Sequence, residues 1–164
     1  MLFSKVLMSI AVLGLVSASA TAQTENRYQR VSGQLVAQAN SVLETNQFSD
    51  AQLLYERALV ASPSNTAALI GLGRSHEGQG RVGKGLKYYR QALEIEPNDQ
   101  RALEVQALAF LKRDMKDRAD DNRDKLARLC TGGCAALATV ETAIEAYQTT
   151  MSEKTASVAE NKEG

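Results

Sequence analysis

Residues 55–63 read YERALVASP and residues 89–97 read YRQALEIEP, so tyrosine, alanine, leucine and proline recur 34 residues apart in one register. Working outward, the same step superposes Leu35, Leu69 and Leu103, then Ala68 and Ala102, then Asn65 and Asp99, then Asn46, Gly80 and Asp114. A helix pair cannot bury its apolar face alone, so it needs the same residue sizes wherever the next pair stacks. Each slot has a physical reason. Ala58 and Ala92 let helices approach closely. Asn46, Gly80 and Asp114 fall where a helix must stop and reverse, and these residue types tolerate the turn conformations required. Pro63 and Pro97 follow the second helix of each unit, because proline cannot continue a helical ladder. Asn65 and Asp99 are placed to cap the next helix by accepting its free amide hydrogens.

With these slots in place the chain resembles the tetratricopeptide repeat family, whose helix-turn-helix unit has this length and this proline. The resemblance gives repeats over 32–65 and 66–99. The small residue late in the first helix appears as Ala39, Gly73 and Ala107, and the one opening the second helix as Ala51, Gly85 and Ala119. A third unit, 100–131, is degenerate: Arg123 and Leu126 stand where the family has an aromatic and an alanine, and Thr131 where it has proline. The implied fold is all-α, a short right-handed α-solenoid of helix-turn-helix repeats closed by a C-terminal capping helix. Strand-type alternation is absent, whereas helical periodicity runs from Val31 onward.

Lys5 precedes an apolar and small run over Val6–Val16, followed by Ser17-Ala18-Ser19-Ala20-Thr21-Ala22. This is the layout of a secretory signal peptide, 1–22, with cleavage expected before Gln23. The run is shorter than the ~20 apolar residues that cross a bilayer, so contact with membrane is expected only through this segment before cleavage. The domain is then 23–151, and the expected location is periplasmic or secreted. Without Lys5 the remaining chain holds 18 basic and 19 acidic residues. Such a balance steers neither nucleic acid nor anionic lipid.

Toward the C-terminus, Met115, Ala119, Leu126 and Leu129 keep one apolar stripe through a highly charged stretch. Opposite charges four apart, Asp114 with Arg118 and Asp121 with Lys125, are expected to pair on its wet face. From Cys134 to Met151, Leu137, Val140, Ile144, Tyr147 and Met151 share one face while Glu141 and Glu145 lie off it, as a solenoid cap over 134–151 requires. Residues 152–164 carry no apolar stripe and are expected to be a disordered tail.

Cys130 and Cys134 flank Thr131-Gly132-Gly133, and a pair in an exported chain defaults to a disulfide. A redox-active pair is the alternative reading, although thioredoxin-type sites use two intervening residues beside a βαβ unit. Haem attachment would need histidine after the second cysteine, where Ala135 stands. Gly78-Gln79-Gly80-Arg81-Val82-Gly83-Lys84-Gly85 satisfies GxGxxG and nearly the phosphate-binding loop, but both motifs follow a strand and this stretch follows a helix. No nucleotide is expected there. His76 is the only histidine in the chain, so multi-histidine catalysis and metal sites are excluded. The position suits packing between helices. No cofactor and no enzymatic activity are expected.

The resemblance implies instead a concave groove, lined by first-helix side chains, that holds another protein's peptide or helix. On this chain the implied lining is Asn40, Leu43, Glu44, Arg74, Glu77, Arg101 and Glu104. Family members that clamp a C-terminal carboxylate use lysine, asparagine and arginine at set positions. Asn40 and Arg101 match two of these, but Val36, Gly71 and Val105 occupy the rest, so that clamp is not implied. The expected function is an exported adaptor for protein-protein contacts, in assembly of an envelope complex. Export signal plus repeats also resembles the small repeat factors of bacterial pilus assembly of the Tad type, and an envelope thiol-redox protein is the rival from another class.

Overall fold

The computed structural model describes residues 27–160, so the export segment 1–22 and the last four residues lie outside the described residues. Among the described residues there are seven helices and no strand. These are α1 (27–44), α2 (Phe48–Ala61), α3 (Thr66–Gly78), α4 (Val82–Ile95), α5 (Gln100–Leu111), α6 (Lys116–Leu129) and α7 (Ala135–Glu160). From α2 onward each helix packs against the next, up to the α6–α7 pair, and α7 lies on α5 as well. The result is an α-solenoid of three hairpins and a cap. Among the described residues, no helix is long and apolar enough to cross a membrane.

The repeat slots do what their chemistry requires. Asn46 and Asp114 have φ of 58° and 56°, and Gly80 has φ of 76°. All three hairpins therefore reverse through the same left-handed residue, a conformation that asparagine, aspartate and glycine reach at low cost. The Asn65 side chain accepts from the Ala68 amide at 3.1 Å and Asp99 accepts from Ala102 at 2.9 Å. Asn65 also donates to Ser32 at 2.8 Å, and the Ser32 hydroxyl donates to the Ala58 carbonyl at 2.8 Å. One polar residue thus ties the end of the first unit to its beginning.

Two tyrosines organise the middle of the solenoid. Tyr55 from α2 and Tyr89 from α4 are fully buried, and their rings lie against Gly71 and Gly73 of α3, where a Cβ would run into ring atoms. Helix α3 is pinched between two aromatic rings, and glycine is what lets both approach. Gly85 opens α4 in the same spirit: a Cβ there would stand 2.9 Å from the Gly73 carbonyl oxygen.

His76 is a packing residue, buried and stacked on Tyr88 with ring centroids 5.3 Å apart. Its Nδ1 lies 2.8 Å from the Arg81 guanidinium, which can only donate, so the ring is held neutral. Burial, then the nearby Arg81 and Lys84, lower its pKa from the usual 6.5, with Glu56 opposing them. In the unfolded chain the ring regains its ordinary pKa, so between the two values the unfolded state binds more protons. Stability from His76 is therefore complete above about pH 6.5 and is lost as pH falls toward the lowered folded value. Urea midpoints measured at pH 7.5 and 5.5 should differ less in His76→Gln than in the parent chain.

The C-terminal unit closes the core. Leu103, Ala107, Phe110 and Leu111 of α5 and Ala119 and Leu126 of α6 meet Ala136, Val140 and Ile144 of α7. Among them the buried Asn122 amide donates to the Leu103 carbonyl at 3.2 Å and to Gln106 at 3.0 Å. The third unit is a full hairpin despite its altered slots, because Ala119 and Leu126 still supply the apolar contact. Its charges pair differently from the sequence expectation. Asp120 is the hub, meeting Lys116 and Arg123, while Asp114 accepts from the Tyr147 hydroxyl and Arg118 lies over the Phe110 ring.

Two further expectations need correction. Helix α7 does not stop at Met151 but runs to Glu160, where the sequence reading placed a disordered tail from Ser152. Glu153, Lys154 and Ala156 are good helix formers, and the Ser152 and Thr155 hydroxyls each donate back four residues to the Gln148 and Met151 carbonyls. Leu43, assigned to the groove, is buried between α1 and α2 with Tyr55 and Ala51. Cys130 and Cys134 stand at the mouth of α7 with Cα atoms 5.7 Å apart and sulfurs facing, within bridging range.

Candidate functional site

The first helices of the three hairpins, α1, α3 and α5, form one face of the solenoid, and two clefts run end to end along α3 on that face. The first, about 160 Å³, is lined by Asn40 of α1, Thr66, Ala67, Ile70, Gly71 and Arg74 along α3, and Asp99 and Arg101 at the start of α5. The second, about 240 Å³, lies between α3 and α5 and is lined by Arg74, Glu77, Gly78, Val105, Leu108 and Lys112. Arg74 belongs to both, so the two form one groove.

Asn40 and Glu77 are each set by a tyrosine behind them. The Tyr55 hydroxyl donates to Asn40 Oδ1 at 2.6 Å, which leaves the amide NH2 as the free end of Asn40. Burial pushes the Tyr55 phenol up, opposed by the Arg74 and Arg101 guanidiniums beside it, with Glu44 a smaller influence in the opposite sense. One repeat later the Tyr89 hydroxyl donates to Glu77 Oε2 at 2.7 Å. Burial, reinforced by Glu77, pushes this phenol far up and keeps it a donor. The other Glu77 oxygen accepts from the Lys112 ammonium, which bridges from the end of α5 to α3 across the second cleft. Glu77 is mostly shielded from water, so this pair is held more firmly than an exposed one.

Four of the seven sequence-assigned residues, Asn40, Arg74, Glu77 and Arg101, meet in this groove. Glu44 is exposed near the end of α1 and Glu104 is half-buried on α5, and neither lines these two clefts. Leu43 is in the core. The structure adds Ile70, Leu108, Val105 and Lys112. Lys112 follows the last residue of α5, and no repeat slot marks it. Among the described residues, no three His, Cys, Asp or Glu side chains are grouped to hold a metal ion. The arrangement offers hydrogen-bond donors, charge and apolar wall, which is binding chemistry.

Stacked hairpins with a lined concave face define a helical-repeat scaffold. A tetratricopeptide repeat profile matches residues 36–100 and 72–133, more than half of the chain, and the protein belongs to the tetratricopeptide repeat family. No curated protein is significantly similar in sequence. Among solved structures, the Yersinia enterocolitica type III secretion chaperone SycD, in complex with a peptide of the translocator YopD, superposes with a TM-score of 0.63 at 17% identity. That match covers 73% of this chain and 93% of the other. PcrH, solved with the chaperone-binding region of PopB, gives 0.61 at 19% identity over 70% and 93%. The Sgt2 repeat domain from Aspergillus fumigatus gives 0.65 at 21% identity over 76% and 81%. At these identities the likeness is one of fold.

Proposed function

We propose that this chain is an exported adaptor that holds an extended segment of a partner protein in the groove along α3. The observation that carries the reading is the continuity of the two clefts through Arg74, with Asn40 and Glu77 each held in place by a buried tyrosine. Preorganised side chains of this kind lower the ordering cost of binding a flexible segment. The peptide-bound states of SycD and PcrH support the reading at the level of fold. Export rests on the signal-like residues 1–22, and assembly of an envelope complex is the setting that combination favours, a pilus-assembly role being one form of it.

The test is positional. A photo-crosslinking residue placed at Ala67 or Leu108 in the groove should capture the same envelope protein from both sites, whereas Arg57 and Val60 on the outside of α2 should capture none. Adducts formed only from the outer positions would discard the groove.

In the exported chain the Cys130–Cys134 pair acts as a structural disulfide holding the turn into α7. Chain-entropy reasoning for so short a loop gives about 2 kcal/mol. Replacing both cysteines with serine should lower the unfolding free energy by about that amount and leave groove binding intact. A reduction potential below about −300 mV fits a structural bridge. A much higher value would favour the rival thiol-exchange function.

A further inference from the structure

The charges around the first cleft do not cancel. Asn40 has its carbonyl oxygen engaged by Tyr55, so it faces the cleft as a donor. Arg74 and Arg101 line the same cleft, and among the described residues the ion pairs leave both guanidiniums without a carboxylate. Among the acids nearby, Glu44 is exposed at the end of α1 and lines neither cleft. Asp99 accepts from the Ala102 amide as the cap of α5, and Glu77 is shared between Tyr89 and Lys112. Three donor groups, two of them cationic, thus face a cleft whose one carboxylate, Asp99, already gives an oxygen to the Ala102 amide, so donors and positive charge are in excess. The influence of the two arginines on Tyr55, larger than that of Glu44, has the same sign.

A group that only accepts hydrogen bonds and carries negative charge satisfies such a set, and guanidiniums match a carboxylate in geometry as well as charge. The surroundings decide where in a ligand that carboxylate sits. The first cleft extends from Thr66 and Ala67 at the start of α3 down to Arg74, and the second begins there with Val105 and Leu108 as apolar wall. A chain can therefore pass through the seat and continue. Resting on the groove reading above, we infer that the partner segment carries an internal acidic side chain seated among Asn40, Arg74 and Arg101, followed by an apolar side chain against Val105 and Leu108. Lys112 and Glu77, already paired, neutralise each other at the far end and leave the first cleft as the charged seat. The ligand is thus read in one direction, acid toward the start of α3 and apolar residue toward its end.

The experiment uses residues 23–164 and fluorescent peptides of about ten residues, acetylated and amidated, each with one glutamate and one leucine about three residues further on. Their partners carry glutamine for glutamate, or glutamine with a free C-terminal carboxylate. The glutamate peptide should bind about tenfold or more tighter than the glutamine peptide, the scale of a lost charge-assisted contact. Arg74→Gln or Arg101→Gln should remove that preference, lowering affinity for the glutamate peptide by at least the tenfold difference and for the glutamine peptide by much less. Arg101 is exposed, so its replacement leaves the fold intact. Equal binding of the glutamate and glutamine peptides would overturn the acidic seat while leaving the groove in place. Preference for the free-carboxylate peptide would overturn the internal assignment in favour of a chain end. Absence of binding by every peptide would also overturn the inference, with the groove itself judged by crosslinking.

Discussion

Tyr89→Ala should lower the unfolding free energy by about 3–5 kcal/mol, the range for deleting a buried aromatic ring. A repeat domain whose whole stability is about 5–15 kcal/mol would lose a large part of it. Tyr89 is fully buried, and its ring closes the space over Gly73 between α3 and α4. The hydroxyl accounts for a separable share. Tyr89→Phe leaves the ring but takes one donor from Glu77, a loss of about 1–3 kcal/mol for a shielded carboxylate. Gly73 provides a sign test. In the parent chain Gly73→Ala drives a methyl into the ring and should destabilise, overriding the ~1 kcal/mol by which alanine favours a helix. In the Tyr89→Ala background the nearest obstacle is gone, so the same change should stabilise. Urea denaturation of the four chains reads this cycle. A Gly73→Ala effect of unchanged sign would show that the ring does not dictate the glycine.

The recurrence of Asn46, Gly80 and Asp114 in the sequence already implied one turn geometry, and their shared positive φ is that geometry. Asn65 and Asp99 were legible for the same reason, since a cap is a local interaction between residues three apart. The groove was legible only in part. Helix position places Asn40, Arg74, Glu77 and Arg101 on first helices, but it does not say which side of a first helix turns toward its own partner. Leu43 is one turn from Asn40 and faces α2 instead. Lys112 escaped because it lies outside any slot and reaches the groove through Glu77, 35 residues away in sequence. Gly71 looked like a missing clamp residue, and its reason lies in a ring contributed by another helix. Such contacts across helices leave no periodic trace. Past Met151 the lack of an apolar stripe was read as disorder, yet helix propensity and hydroxyl back-bonds continue the helix with no face to bury.

Val140→Asp tests whether α7 is a cap in the energetic sense. Val140 is fully buried among Leu103, Ala107, Phe110 and Leu111 of α5. Losing its burial costs about 1.5–3 kcal/mol, and placing a carboxyl group there adds about as much again, whether it stays charged or takes up a proton. Because repeat units draw stability from their nearest neighbours, a penalty of this size should fall on the C-terminal unit first. Amide exchange in α5, α6 and α7 should accelerate by about two or more orders of magnitude, while α2 and α3 keep most of their protection. The α5 face uncovered by this undocking is apolar, so the variant should also self-associate as its concentration rises. Glu141→Ala, one residue along and exposed, should do neither. Equal acceleration through all seven helices would mean that the solenoid unfolds as one unit and that α7 is part of a single core. Unchanged exchange in α5 would mean that α7 does not cover it. The cysteine turn adds a second handle on the same docking: if the bridge positions α7, reduction should add to the Val140→Asp effect by less than its cost in the parent chain, because an undocked helix no longer gains from a constrained start.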